Sequence, residues 1–382
     1  MSDSFVVSAR KYRPSNFDSM LGQEHITVTL KKAIANNHLA QAYLFTGPRG
    51  VGKTTCARIL AKAVNCENLS ADGEPCNQCK SCTTFNEQRS MNIFELDAAS
   101  NNSVEDIRLL NDQVRFPPQA GKFKTYIIDE VHMLSTAAFN AFLKTLEEPP
   151  SYTIFILATT EKHKIIPTIL SRCQINDFKR LEIKDIVKQL QLIAEKENIS
   201  AEETALHIIA TKADGAMRDA LTVFDKLVSV AQDKITYEFV ISNLNIIDYE
   251  YFFKITNAIC SADIQQSILI LDELVKAGFD EQNFLNGLSE HLRTLILSKM
   301  EKTAVILDIP DTLRSRYHQQ ANSIDKNYLI NALNIIHQFS LSFKESKNPR
   351  LHTEIALMKL SYLTDAISLA TQLQEQKKNS DN

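Results

Sequence analysis

A parallel α/β unit followed by a run of helices is the fold class this sequence predicts, and three observations predict it. The first is the stretch Gly47-Pro48-Arg49-Gly50-Val51-Gly52-Lys53-Thr54, which fits G-x-x-x-x-G-K-[ST]. It lies between an apolar run, Ala42 to Phe45, and a helical pattern from Thr54 to Val64 that spaces Cys56, Ile59, Leu60 and Ala63 on one face. The second is the return of short apolar runs at Ile93 to Leu96, Lys124 to Ile128 and Thr153 to Leu157, with helical patterns between them, as expected where strands and helices alternate. The third is a change near Arg180, beyond which the periodicity is helical throughout.

The glycine-rich stretch has the mechanics of a phosphate loop. Its glycines let backbone N–H groups curl around phosphate oxygens, and the following helix start adds a partial positive charge. Lys53 is then expected to reach the β- and γ-phosphates of a nucleoside triphosphate, and the Thr54 hydroxyl to hold Mg²⁺. Asp129 and Glu130, delivered at the end of the Lys124 run, complete the expectation: Asp129 holds the Mg²⁺ shell and Glu130 polarises the attacking water.

At 382 residues the chain suggests two or three domains of about 150 residues each. An apolar fraction of 44% and a charged fraction of 23% are ordinary for a globular protein. The net charge of −4 excludes binding to nucleic acid through a general positive field, leaving local basic groups and helix starts for that task. No apolar run approaches the roughly 20 residues of a membrane span, and the polar start has no signal-peptide pattern, so a cytoplasmic location is expected.

In chain order, Arg10-Lys11-Tyr12-Arg13-Pro14 mixes cations with a ring and leads through Phe17 and Met20-Leu21-Gly22 into a helix from Ile26 to Ala35. It reads as a solvated arm or, given the loop behind it, as a cover for the nucleotide base. Cys66, Cys76, Cys79 and Cys82 follow, spaced C-x₉-C-x₂-C-x₂-C. Four thiolates close a tetrahedron with no position left for water, so the expectation is structural Zn²⁺; an iron–sulfur centre uses the same ligands. Cys56, Cys173 and Cys260 read as core.

Ser103 with Asp106 is a capping box opening a helix expected to bury Val104, Ile107, Leu110 and Val114. Ser135 caps the next helix, with Phe139, Phe142, Leu143 and Leu146 on one face before Pro149-Pro150. Thr159-Thr160 closes the Thr153 strand, and Lys162 to Lys164 leads to Ser171-Arg172-Cys173; a strand-tip hydroxyl and Arg172 suit γ-phosphate chemistry, or ordinary surface roles. Past Arg180, Ile183 to Glu197 is one helix, Ser200 with Glu203 is read as the cap of a second, and Ala216 starts a third. Arg218 sits in that third helix's first turn, where a cation opposes the dipole and invites an outside anion, with Asp219 as a possible surface partner. Further on, three stripes are expected to be buried: Ile264, Ile268, Leu271 and Val275; Phe284, Leu288, Leu292 and Leu295; Leu329, Leu333, Ile336 and Phe339.

Taken together, ARKYRPSNFDSMLGQEHI, AYLFTGPRGVGKTT, the four-cysteine insert, ELDAASNNSVEDIR, IIDEVHMLS, AFLKTLEEPP, LATTE, ILSRC and GAMRDAL resemble the γ/τ subunits of the bacterial DNA polymerase III clamp loader, which are AAA+ ATPases. The resemblance runs from Ala9 to about Leu360. It implies an α/β AAA+ P-loop NTPase domain over 1–178 with a zinc-binding insert at 66–82, a three-helix lid over 179–240, a helical collar over 241–370, and a polar tail over 371–382.

The implied activity is ATP hydrolysis that loads a sliding clamp onto primed DNA during replication, within the polymerase III holoenzyme but without a polymerase site in this chain. Alternatives are a non-hydrolysing structural subunit of the loader, or another AAA+ DNA motor. The resemblance further implies that Arg10, Tyr12, Arg13, Pro14, Met20, Leu21 and Gly22 line the adenine pocket. Gly47 through Thr54, with Thr55, would hold the phosphates and Mg²⁺. Thr160 is similar to sensor 1, Arg218 to sensor 2, and Arg172 to a finger acting in a neighbour's site, while Asp97 to Arg108 would face DNA. The partners implied are δ and δ′ subunits, further copies of the chain, the clamp and primed DNA. The sequence ends soon after the collar, without the long tail of the τ form, and so reads as γ-like or as a truncated τ.

Overall fold

The computed structural model describes residues 6–119, 121–231, 234–300, 307, 309 and 311–363, and the expected polar tail lies outside them. The chain divides into two compact units between Ile235 and Thr236.

In the first unit, β1 (Ala42–Thr46), β2 (Ile93–Asp97), β3 (Lys124–Asp129), β4 (Thr153–Thr159) and β5 (Gln174–Asp177) form one parallel sheet in the order β2-β3-β4-β1-β5. The strands are apolar on both sides because both faces are covered. Tyr43, Phe45, Ile127, Ile154 and Ile156 pack on one face, against α2 (Glu24–Ala35) and α3 (Lys53–Val64). Leu44, Tyr126, Ile128, Phe155 and Leu157 pack on the other, against α5 (Val104–Val114) and α6 (Thr136–Glu147).

Register aligns the carboxyl ends of the strands: Thr46 pairs with Thr159 and with Asp177, and Asp97 with Asp129. The loops after β1, β3 and β4 therefore share one edge of the sheet, where open α/β sheets bind ligands. Short α1 (Ser8–Lys11) precedes this core, α4 (Lys80–Asn86) follows the cysteine insert, and α7 (Pro167–Leu170) leads into β5. A lid of three helices, α8 (Ile183–Lys196), α9 (Glu203–Lys212) and α10 (Met217–Val228), completes the unit.

Four details depart from the sequence expectations. Strand β5 was not expected. Ser200 does not cap α9; it lies in β6 (Ser200–Ala201), paired in parallel with β7 (Lys234–Ile235), and Glu202 is the residue before the helix, so the region past Arg180 is not purely helical. Val104 is half-buried while Ile107, Leu110 and Val114 form the α5 core face. In α13 (Ile264–Lys276) the buried stripe is Ser267, Ile270, Leu271 and Leu274, rotated from the expected one, with Ile268 and Val275 at its edge.

The second unit is helical among its described residues: α11 (Tyr237–Leu244), α12 (Tyr249–Cys260), α13, α14 (Glu281–Ser298), α15 (Asp311–Ser323), α16 (Lys326–Ser342) and α17 (349–363). Phe284, Leu288, Leu292, Leu295, Leu329 and Ile336 lie in its core, as their spacing predicts, with Leu333 and Phe339 partly buried beside them. Among the described residues no helix is long and apolar enough to cross a membrane.

Candidate functional site

A cleft of about 480 Å³ opens at the carboxyl edge of the sheet, bounded by the phosphate loop, the N-terminal arm and the lid helix α10. Its floor is the start of α3. Gly52 precedes that helix in the left-handed region and offers no side-chain cap, so the first-turn amides remain for an anion. Gly50, at φ +78°, could not carry a side chain: a Cβ there would come within 2.9 Å of Ala216 Cβ on the lid.

Lys53 is 6% exposed, and its ammonium donates to the carbonyls of Gly47 at 2.9 Å and Pro48 at 2.8 Å. Burial lowers its pKa, against the pull of Glu130 and Asp129. Thr54 Oγ1 donates to Asp129 Oδ2 at 2.7 Å, so the two expected Mg²⁺ ligands stand side by side. Glu130 follows Asp129 with a left-handed backbone, φ 48°, which turns its side chain away from the strand direction. Its carboxylate accepts a hydrogen bond from Thr160 Oγ1 at 3.2 Å.

The lid supplies Arg218, whose backbone N–H reaches Gly50 O at 3.4 Å and which makes no ion pair with Asp219 among the described residues. The arm supplies Arg10, Tyr12, Arg13, Pro14, Met20 and Leu21, all lining the cleft with Arg49, Val51 and Thr55. Arg10, Arg13, Arg49 and Arg218 form no ion pair among the described residues. Arg13 is pushed below the usual guanidinium range, by burial first and then by Arg58, Arg218 and Arg10. Such a ring of cations is stabilised by a bound polyanion. The arm itself is tied to the lid: Ser8 N donates to Asp225 Oδ2 at 2.7 Å, and Lys11 Nζ meets Glu197 Oε1 at 2.6 Å, where Tyr12 also donates.

Several expected site residues stand off the cleft lining. Gly22 turns the chain against Leu181, and Gly47 and Pro48 take part through the carbonyls that hold Lys53. Arg172 is elsewhere, with Nη1 donating to Thr168 O at 2.8 Å and Nη2 to Glu147 Oε1 at 2.9 Å. Sequence reasoning overlooked His132, whose side chain is 7% exposed. Its Nδ1 lies 3.0 Å from Thr159 Oγ1 and 3.4 Å from Glu130 Oε2, and its Nε2 lies 3.3 Å from Glu161 Oε1. Its position two residues after Glu130 was the available signal.

Beyond the C-terminal end of α3, the Sγ atoms of Cys66, Cys76, Cys79 and Cys82 lie within 4.8 Å of one another. Cys76 N donates to Cys66 Sγ at 3.3 Å, and Cys79 N and Gln78 N donate to Cys76 Sγ at 3.2 and 3.5 Å. The amides of Gln78 and Cys79 pull the Cys76 thiol down to about 6, whereas burial pushes the Cys66 and Cys82 thiols up. The donor set fits a four-sulfur ion such as Zn²⁺.

The family described as "DNA polymerase III, delta subunit" matches residues 22–182, "DNA polymerase III clamp loader subunit, ATPase lid domain" matches 185–233, and "DNA polymerase III subunits gamma and tau domain III" matches 235–375. DNA polymerase III subunit tau of Bacillus subtilis (strain 168) is 40% identical over 361 residues, which are 94% of this chain and 63% of that protein. Subunit tau of Escherichia coli (strain K12) is 38% identical over 79% of this chain and 47% of its own length. The chain thus spans roughly half to two thirds of these tau proteins. Subunit gamma of Buchnera aphidicola subsp. Baizongia pistaciae is 36% identical over 83% of this chain and 85% of its own. The solved RuvB Holliday junction branch migration motor of Thermotoga maritima covers 65% of this chain and 79% of its own at a TM-score of 0.46 and 22% identity, too loose a likeness to add to the assignment. With a parallel α/β core carrying a phosphate loop, a lid and a helical third domain, the chain belongs to the gamma/tau family of DNA polymerase III clamp-loader subunits.

Proposed function

We propose that this chain is the ATPase subunit of a bacterial clamp loader, using ATP binding and hydrolysis to place a sliding clamp on primed DNA. The observation that carries this reading is one cation-ringed cleft that gathers the phosphate loop, the Asp129-Glu130 pair and Arg218 of the lid. In it, residues 1–178 bind the nucleotide, 179–240 close over it, and 241–370 form the collar that joins δ, δ′ and further copies. Nucleotidyl transfer belongs to other subunits of the holoenzyme. The setting is cytoplasmic.

The arm residues Arg10, Tyr12, Arg13, Pro14, Met20, Leu21 and Gly22 enclose the base. Lys53 exchanges the Gly47 and Pro48 carbonyls for phosphate oxygens, a trade of neutral acceptors for charged ones that favours ATP binding. Thr54 and Asp129 hold Mg²⁺, which when bound neutralises the phosphate charge. Glu130 orients a water whose oxygen attacks the γ-phosphorus; the bond to the β,γ-bridging oxygen breaks, ADP leaves, and the water's proton passes to Glu130. Thr160 aims Glu130 through their hydrogen bond. Arg218 reports the γ-phosphate to the lid, and Arg172 serves the site of a neighbouring subunit. Cys66, Cys76, Cys79 and Cys82 hold a structural Zn²⁺, to be checked by elemental analysis of the folded protein.

The test is reconstitution with δ, δ′, clamp and primed DNA. ATPase activity stimulated by both clamp and DNA is expected, together with clamp loading. Lys53→Ala should remove both. A clamp-loading ATPase untouched by that substitution would leave the non-hydrolysing reading as the better one.

A further inference from the structure

Glu74 ties the cysteine insert to the N-terminal arm that borders the nucleotide cleft. Its carboxylate is taken out of solvent, the residue being 8% exposed, and it accepts two backbone hydrogen bonds from the arm: Phe17 N to Oε2 at 2.9 Å and Asp18 N to Oε1 at 3.0 Å. Lys31 on α2 adds an ion pair at 3.0 Å and reaches Asp18 and Asp72 at 2.6 and 3.3 Å. A charged acceptor shared by two amides and an ammonium is a strong, directional anchor.

The insert is shaped to present that carboxylate. Ser70 N donates to Glu74 O at 3.0 Å and Glu74 N to Ser70 Oγ at 2.8 Å, closing a tight loop two residues before Cys76. Gly73 in that loop lies at φ +87°, and a Cβ there would come within 3.0 Å of Lys31 O, so the loop backbone packs directly on α2. On the other side of the anchor, Phe17 is buried, Met20 N donates to Phe17 O at 3.0 Å, and Met20 lines the cleft. Met20 Cε stands where a side chain on Gly52 of the phosphate loop would come to 3.1 Å. Contact therefore runs without a gap from the cysteines through Glu74 and the Phe17–Met20 turn to the phosphate loop.

We propose that Glu74 is a positioning residue for the bound nucleotide: the metal-closed cysteine insert uses it to hold the Phe17–Met20 turn against the phosphate loop. Metal occupancy of the insert thereby sets the affinity of the cleft for ATP. The inference rests on the reading of the cleft as an ATP site. It assigns the insert a task in nucleotide affinity besides keeping the fold together, and makes loss or oxidation of its thiolates a means of weakening ATP binding.

A four-way comparison tests this on the full chain: wild type and Glu74→Gln, each as prepared with zinc and after chelation, titrated with a fluorescent ATP analogue. Glu74→Gln is expected to weaken binding about tenfold, and in the reconstituted loader to raise KM while leaving kcat at saturating ATP. Chelation of wild type should weaken binding by a similar factor, and chelation of Glu74→Gln should add little, because the connection through the Phe17–Met20 turn is already cut. Wild-type affinity in Glu74→Gln, or a chelation effect of undiminished size in that variant, overturns the proposal. Circular dichroism checks folding; should Glu74→Gln not fold, Lys31→Met, which removes the cation and keeps the carboxylate, takes its place with the same two outcomes. A wild type that binds no analogue and is indifferent to Lys53→Ala would instead refute the reading of the cleft itself.

Discussion

Lys53 and Arg172 carry the same charge in opposite surroundings. Lys53 is buried in the cleft and occupied by two carbonyls, whereas Arg172 lies on the surface beside Glu147, away from the cleft lining. If Arg172 acts across a subunit boundary, its own cleft should not need it for binding. Arg172→Ala is then expected to leave nucleotide affinity near wild type and to lower turnover of the assembled loader by about 10³-fold. Equal loss of affinity and turnover would assign Arg172 to folding. The contrast also explains what was legible. Lys53, Thr54, Asp129 and Glu130 could be read because their chemistry sits in contiguous motifs whose strand and helix context is local. The meeting of His132 with Thr159 and Glu161 could not, because it depends on how the turn after β3 is set against the end of β4.

Among the elements, the start of α5 was read correctly because it is encoded in four residues. Ser103 Oγ accepts from Asp106 N at 3.2 Å, and Ser103 N donates to Asp106 Oδ2 at 3.2 Å. Ser103→Ala removes the first bond and isolates the second, and should destabilise the first unit by about 1 kcal/mol, read as a lower urea midpoint at constant slope. An unchanged midpoint would show that water replaces the cap at no cost. Ser200 and Glu203 have the same spacing, yet there Ser200 pairs with Lys234, far along the chain, and the ladder takes the residue away from the helix. Tertiary pairing overrides a local signal of such small size. Strand β5 was missed for a related reason: Gln174, Asn176 and Asp177 give it no apolar alternation, and it exists because β1 offers an open edge. In α13 both the expected and the observed stripes fit a helix, and the neighbours it packs on, not its own period, chose between them.

At the level of the whole molecule, the two units are expected to answer acid differently, because the second contains a buried histidine held neutral. Gln320 Nε2 donates to Phe253 O at 2.9 Å and to Asn257 Oδ1 at 2.8 Å, which leaves Gln320 Oε1 as acceptor for His291 Nε2–H at 2.9 Å. His291 Nδ1 must then accept from Tyr317 Oη at 3.1 Å, so both nitrogens are satisfied in the neutral ring. The residue is 2% exposed, and burial pushes its pKa down from 6.5 to about 4, against the opposing hydrogen bond that its ring donates to Gln320. A histidine depressed in the folded state leaves the unfolded chain with more bound protons between those two values. The stability it permits is complete above 6.5 and declines as pH falls toward 4. Moving from about pH 7.5 to about pH 5 should cost the second unit about 2 kcal/mol through this group. His291→Gln keeps a hydrogen-bonding side chain that does not titrate. Urea unfolding at the two pH values, followed by circular dichroism and by proteolysis within Thr236–Tyr362, should show a smaller pH loss in His291→Gln than in wild type. The same loss in both proteins would assign the acid sensitivity to other groups.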